Sequence, residues 1–160
     1  MGVPPATVTL SSARGTVTGM DTVTGFQVAG VDIIDVVGTA ALDGAANVNG
    51  IHSTAVLTAG GTDYIESHSV SATGLVTFDD ADFNAAVTLA DAGDVAAAIQ
   101  YLGLNDIGAA GDSVVFTGNS NSYIYTQSGA SAGGDVIELV GITATGIMTS
   151  GTTAGYVEIT

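Results

Sequence analysis

The sequence predicts a mainly-β chain: β-roll- or β-sandwich-like sheets of short strands, one or two short helices over about residues 79–102, and a C-terminal antiparallel meander. Three observations lead there. Apolar residues recur mostly at alternate positions bounded by Gly, Asn or Asp, the pattern of half-buried strands joined by tight turns. Val, Ile, Thr, Tyr and Phe mark each run, and these β-branched and aromatic types suit a pleated backbone. One stretch alone changes to three- and four-residue spacing. At 160 residues, 23 of them Gly, the chain is long enough to bury a core of its own as one domain.

Taken in order, the candidate strands are 7–10, 22–28, 32–36, 55–58, 64–70, 75–78, 113–117, 123–127, 136–140 and 156–159. Between them, Phe83, Ala86 and Val87, then Val95, Ala98, Ile99 and Leu102, follow helical spacing from 79 to 102. Asp91 is placed as an N-cap with Asp94 in the first turn, and Gly103 falls where a left-handed C-cap belongs. The runs 112–117, 123–127 and 135–140 are separated by a polar turn and a Gly/Ser/Ala loop, so neighbours pair antiparallel. The organisation expected is an N-terminal edge or linker over 1–13 and one β-rich module over 14–160. That module divides into a strand-rich half (14–78), a helical insert (79–103) and the meander (112–160).

Charge narrows the function. Sixteen residues are Asp or Glu, Arg14 is the single member of the Lys/Arg class, and the net charge is −15. Nucleic acid is excluded as a partner, because phosphate binding needs a basic footprint. The Gly-rich stretches match no phosphate loop, there being no Lys to serve one. Without Cys there are no disulfides, thiolate metal sites or cysteine nucleophiles. The start, Met1-Gly2-Val3-Pro4-Pro5, lacks a basic, apolar signal-peptide pattern, and no stretch has the length of a membrane span.

Catalytic apparatus is sparse, and the chain is expected not to be an enzyme. The only imidazoles are His52, in a Gly/Asn-rich loop, and His68, in a strand pattern beside Ile65 and Val70. Each is weighed as a hydrogen-bonded structural residue against a metal or haem ligand. Asp79, Asp80 and Asp82 resemble a carboxylate pair for acid–base work, but they sit where acids serve a following helix. Tyr64, Tyr123 and Tyr125 suit either one face of a sheet or a sugar-stacking surface. The acids are mostly Asp, with Glu only at 66, 138 and 158. Short carboxylates in turns serve the turn itself, or they serve a hard cation such as calcium.

The segment Asp21-Thr-Val-Thr-Gly-Phe-Gln-Val-Ala-Gly-Val-Asp-Ile-Ile-Asp35 resembles the piece that follows the calcium-binding β-roll in RTX proteins exported by type I secretion. Ser67-His-Ser-Val, Gly74-Leu-Val-Thr-Phe-Asp-Asp-Ala-Asp82, Asp112-Ser-Val-Val-Phe, Tyr123-Ile-Tyr and Asp135-Val-Ile-Glu-Leu-Val-Gly-Ile142 follow in the same order. Together they look like the C-terminal region of large RTX-type surface proteins, adhesins and S-layer-like proteins, from about Gly15 onward. The Gly-Gly-x-Gly-x-Asp nonapeptides that carry most calcium in that family are absent.

What the resemblance implies is a secretion and capping module at the bacterial cell surface, with the rest of a larger polypeptide, copies of itself and the type I machinery as partners. The alternative is a self-assembling S-layer or filament subunit that polymerises through strand edges. Calcium is the expected ion. Asp21, Asp32 and Asp35 are its first candidate ligands, Asp79, Asp80 and Asp82 the next, and Asp112 and Asp135 the last.

Overall fold

The computed structural model describes residues 6–9, 16–28, 32–35, 48–51, 53, 57, 64–80, 86–128, 133–149 and 156–160. In chain order the elements are β1 (Ala6–Thr9), β2 (Thr16–Val23), β3 (Ile34–Asp35), β4 (Val48–Asn49), β5 (Ser67–Val70), β6 (Val76–Asp79), α1 (Ala92–Leu104), β7 (Ser113–Gly118), β8 (Asn121–Gln127), β9 (Gly134–Leu139), β10 (Ile147–Thr149) and β11 (Tyr156–Ile159). The mainly-β class is as the sequence predicts, and the sheets are stacked layers. A five-stranded sheet runs β1-β2-β9-β8-β7, and two three-stranded sheets run β10-β11-β3 and β4-β5-β6.

Strict alternation makes the five-stranded sheet the middle layer. Val114, Phe116, Tyr123, Tyr125 and Val136 point to one core with α1 and the β4-β5-β6 sheet. Val115, Ile124 and Leu139 point the other way, to a core shared with Phe26, Ala144, Ile147 and Ile159. A strand with both faces covered reads as a continuous apolar run, which is why Ser-Val-Val-Phe and Tyr-Ile-Tyr carry so little charge.

The meander is antiparallel as expected, with Phe116 opposite Tyr123 and Tyr123 opposite Glu138. Its first turn takes two residues, Asn119 (φ 49°) and Ser120 (φ 63°), the left-handed pair whose twist matches a tight hairpin. The N-terminal segment supplies β1 at one end of the sheet order, and β2 joins β9 in parallel.

Several expected boundaries differ; the strands placed at 32–36 and 64–70, for example, are Ile34–Asp35 and Ser67–Val70. The strand placed at 22–28 ends at Val23, because Gly25 turns the chain at φ 74°. Asp32 N–H donates to Gln27 O at 3.1 Å. Within the helical insert placed at 79–103, the helix among the described residues is α1, which begins at Ala92 and runs through Gly103 to Leu104. Asp79 instead lies in β6 opposite Ser67, bridges Ala86, and is preceded by Phe78, whose O accepts Val87 N–H at 2.7 Å. Strand pairing at both edges of β6 overrides the helical spacing of Ala86 and Val87; Phe83 and Asp82 lie outside the described residues. The strand expected at 55–58 also falls largely outside them, and β4 and β10 are additional.

The N-terminus of α1 is built as predicted. Asp91 Oδ1 accepts from Gly93 N–H (2.7 Å) and Asp94 N–H (3.0 Å), while Asp94 Oδ2 accepts from Ala90 N–H (3.0 Å). Carboxylate and exposed amides thus satisfy one another reciprocally. The C-terminus is closed by Asn105 in place of Gly103. Its Nδ2 donates to Tyr101 O (2.8 Å) and to Ile51 O (2.9 Å), and its Oδ1 accepts Ile51 N–H (2.6 Å). One side-chain amide therefore ends the helix and pairs with a distant backbone segment as a strand would.

That junction admits no Cβ at Gly50, where it would lie 2.5 Å from both Asn105 Oδ1 and Tyr101 Oη. Gly50→Ala is expected to lower the unfolding free energy by about 1–3 kcal/mol through overpacking. Asp91→Ala should cost about 1 kcal/mol through loss of the cap. Urea titrations of the two variants and the parent check both values.

Candidate functional site

Most turn carboxylates are engaged by the backbone. Asp32 Oδ2 accepts Gln27 N–H (2.8 Å) and Asp112 Oδ2 accepts Ala109 N–H (2.7 Å). Asp106 Oδ1 accepts Gly108 N–H (3.2 Å) and Gln127 Nε2–H (2.8 Å). A short side chain reaches a nearby amide where Glu would overshoot, so the excess of Asp over Glu serves turn closure.

The expected calcium ligands fare unequally. Asp21 is exposed on β2 opposite Ile137, Asp135 is exposed on β9 opposite Thr126, and Asp35 is placed by its backbone in β3. Asp32 closes its turn. Asp79 is buried and Asp80 half-buried at the end of β6, while Asp82 lies outside the described residues. Directly across from Asp79 in register, the buried Ser67 Oγ has no hydrogen-bond partner among the described residues. Asp79 and the hydroxyl of Ser67 are therefore placed across from each other in the register of β5 and β6. Among the described residues, however, no three acidic, His or Cys side chains gather closely enough to hold a metal ion. By themselves these donors do not make a calcium site.

The aromatic and imidazole groups are committed to the interior. His68 is only 3% exposed, and its Nδ1 lies 3.0 Å from Tyr101 Oη, which in turn donates to Val48 O at 3.4 Å. If His68 Nδ1 carries the proton, the three groups form a chain that ties β5, α1 and β4. His52 lies outside the described residues. Tyr125 donates to Leu102 O (3.1 Å) and Tyr123 to Glu138 Oε1 (3.1 Å). Burial is the leading cause that pushes Tyr101, Tyr123 and Tyr125 each up to about 12, so all three keep their protons for these bonds. Tyr123 and Tyr125 therefore belong to the core face and leave no sugar-stacking surface there; Tyr64 is half-buried.

One group has no signal in the local sequence. Glu138 on β9 faces α1 and sits in register between Thr22 and Tyr123. Its Oε2 accepts Thr22 Oγ1–H (3.2 Å), and its Oε1 accepts Asn121 Nδ2–H (2.8 Å) as well as the Tyr123 hydroxyl. The parallel β2–β9 and antiparallel β8–β9 pairings together assemble this row, and alternation along β9 alone would mark Glu138 as a surface position.

Apolar edges form the second feature of note. β4 ends the order of its sheet, Val48 on it is 38% exposed, and the nearby Ile51 is 62% exposed. Leu104, next to the Asn105 that grips Ile51, is also exposed. On the other three-stranded sheet, the terminal strands carry exposed Met148 and, beside β3, exposed Ile33.

Against protein-family models, curated proteins and solved structures, the chain has no match.

Burial lowers the proton affinity of His68 below its ordinary value of 6.5. A neutral His68 is thus favoured in the folded state, and the unfolded chain binds the proton more readily. The associated stability is complete above the unfolded value and is lost as pH falls through the lowered folded one. Between about pH 7 and about pH 5 the thermal midpoint of the parent is expected to fall further than that of His68→Gln. Parallel pH profiles by circular dichroism that superimpose would contradict this.

Proposed function

We propose that the chain is a non-catalytic structural and secretion module of a type I-exported, RTX-like extracellular surface protein, and that it caps neighbouring β-structure in the same polypeptide. The observation that carries this reading is the β4 edge, which among the described residues ends its sheet and has Val48, Ile51 and Leu104 exposed on or near it. An apolar strand edge is a template for another strand, and a neighbouring module that covers it removes an aggregation hazard. The commitment of His68 and the core tyrosines to internal hydrogen bonds supports a structural role. No helix among the described residues is long and apolar enough to cross a membrane.

Self-assembly into an S-layer or filament is the second reading. It is favoured by the separate apolar edges on the two three-stranded sheets, which would give one subunit two joining surfaces. The charge of −15 opposes it at low ionic strength, and calcium or salt would relieve that repulsion by screening.

Sedimentation at high protein concentration separates the two. Calcium-dependent polymers that disappear in Ile51→Lys, with an unchanged thermal midpoint, support assembly through the β4 edge; a monomer at millimolar calcium supports capping alone. For the secretion role, removing the chain after Asp112 is expected to abolish type I export of a fused passenger, and undiminished export would overturn it. If calcium binds specifically, it raises the thermal midpoint, and Asp79→Asn reduces that rise while Asp32→Asn does not.

A further inference from the structure

Glu138 borders a small slot between α1 and the central sheet. Met20, Val95, Ala96 and Ile99 give it apolar sides, Tyr123 and Glu138 give it a polar end, and its volume is about 60 Å³. That is roughly twice the ~30 Å³ share of a water molecule in the liquid, enough for a compact head group, with the remainder of a ligand lying in the open mouth.

The chemistry of the slot is selective. A carboxylate has about four acceptor positions, and Glu138 uses three: two on Oε1 for Asn121 and Tyr123, one on Oε2 for Thr22. All three donors are neutral. The described residues include no Lys or Arg, and the one described imidazole, His68, is bound to Tyr101. A partly desolvated carboxylate beside apolar walls gains most from a cation that brings its own N–H donors. Calcium is a poor fit, because it asks for six to eight oxygen ligands and the walls are hydrocarbon. A neutral alkyl group would fill the walls and leave Oε2 unanswered.

We propose that this slot binds the ammonium end of an unbranched primary alkylamine, with the ammonium on Glu138 and the methylene stem against Met20, Val95 and Ile99. The inference stands apart from the capping and assembly readings. The net charge of −15 raises the local concentration of such cations and speeds their arrival. Two sources carry this chemistry, a free amine and the side chain of a lysine on another protein. A second copy of this chain is not a source, since the sequence contains no Lys.

The test is a titration of the isotope-labelled chain with n-butylammonium and n-butanol at constant ionic strength, followed by amide chemical shifts. Butylammonium is expected to give saturable shifts confined to α1, β8 and β9 around Ala96, Ile99, Tyr123 and Glu138, with butanol at least about tenfold weaker. Glu138→Gln removes that preference. Ala92→Leu, at an exposed lining position, fills the slot without touching the carboxylate and weakens binding by about tenfold or more. Thermal melts confirm that both variants fold.

Nα-acetyl-lysine methylamide and 1,5-diaminopentane distinguish the sources. Binding of the lysine derivative at least as tight as that of butylammonium assigns the slot to a protein partner, and binding of the diamine alone assigns it to a soluble amine. Equal binding of butanol and butylammonium overturns the proposal. So do shifts scattered over surface acids that Ala92→Leu leaves unchanged, which is the mark of diffuse counter-ion association.

Discussion

Because both faces of β7 and β8, and of β9 from Val136 to Leu139, are covered, side chains there must either fill a core or find a partner. That constraint organises the molecule. Odd and even positions go to different cores, so a one-residue slip in register would exchange Val115 and Ile124 with Phe116 and Tyr123 and misfit both layers at once. Phe116 stacks on Tyr123 with ring centres 5.1 Å apart, and Phe78 meets Phe116 edge-on at 5.4 Å. Aromatic pairs of this kind add about 0.5–1.5 kcal/mol beyond their burial, so they fix β6 against the central sheet with a defined geometry.

The same burial dictates where polar groups go. Ser122 Oγ donates to Ile142 O and accepts Ala144 N–H, and Ser113 Oγ meets Thr126 Oγ1 at 2.7 Å. Gln127, fully buried, holds the 106–108 loop through Ile107 N–H, Asp106 Oδ1 and Gly108 O. Each bond contributes only about 0.5–1.5 kcal/mol net, while an unanswered partner costs about 1–3 kcal/mol. Tyrosine hydroxyls, turn carboxylates and the single described imidazole are consumed in this way. The exceptions are therefore informative: among the described residues, Ser67 Oγ has no partner and Glu138 keeps an acceptor position open beside apolar walls.

What the sequence made legible was local. The Tyr-Ile-Tyr and Ser-Val-Val-Phe alternation marked the meander, and Asp91 with Asp94 marked the helix start, because both signals lie within a few residues. The helical pattern extends too far upstream in the sequence, because Ala86 and Val87 fit a helical repeat as well as they fit pairing with Phe78 and Asp79, and only tertiary pairing decides between them. Gly103 fits a C-cap by local pattern, but Asn105 closes the helix by reaching both Tyr101 and Ile51, the latter 54 residues away. The row Thr22–Glu138–Tyr123 depends on a bond across 116 residues, and no local pattern encodes that. The RTX resemblance rests on short motifs in order, and where those motifs fall on described residues they coincide with strands and turns of the three sheets.

Native-state hydrogen exchange tests most directly the claim that the doubly covered central strands are the scaffold. The amides of Tyr123, Ile124 and Tyr125 in β8, the strand flanked by β7 and β9, are expected to exchange only through global unfolding, with free energies equal to that from urea titration. The amides of β4 and β3, at the ends of their sheets, should open at lower cost. Slower exchange in β4 or β5 than in β8 would contradict the account and place the stable nucleus in an outer layer.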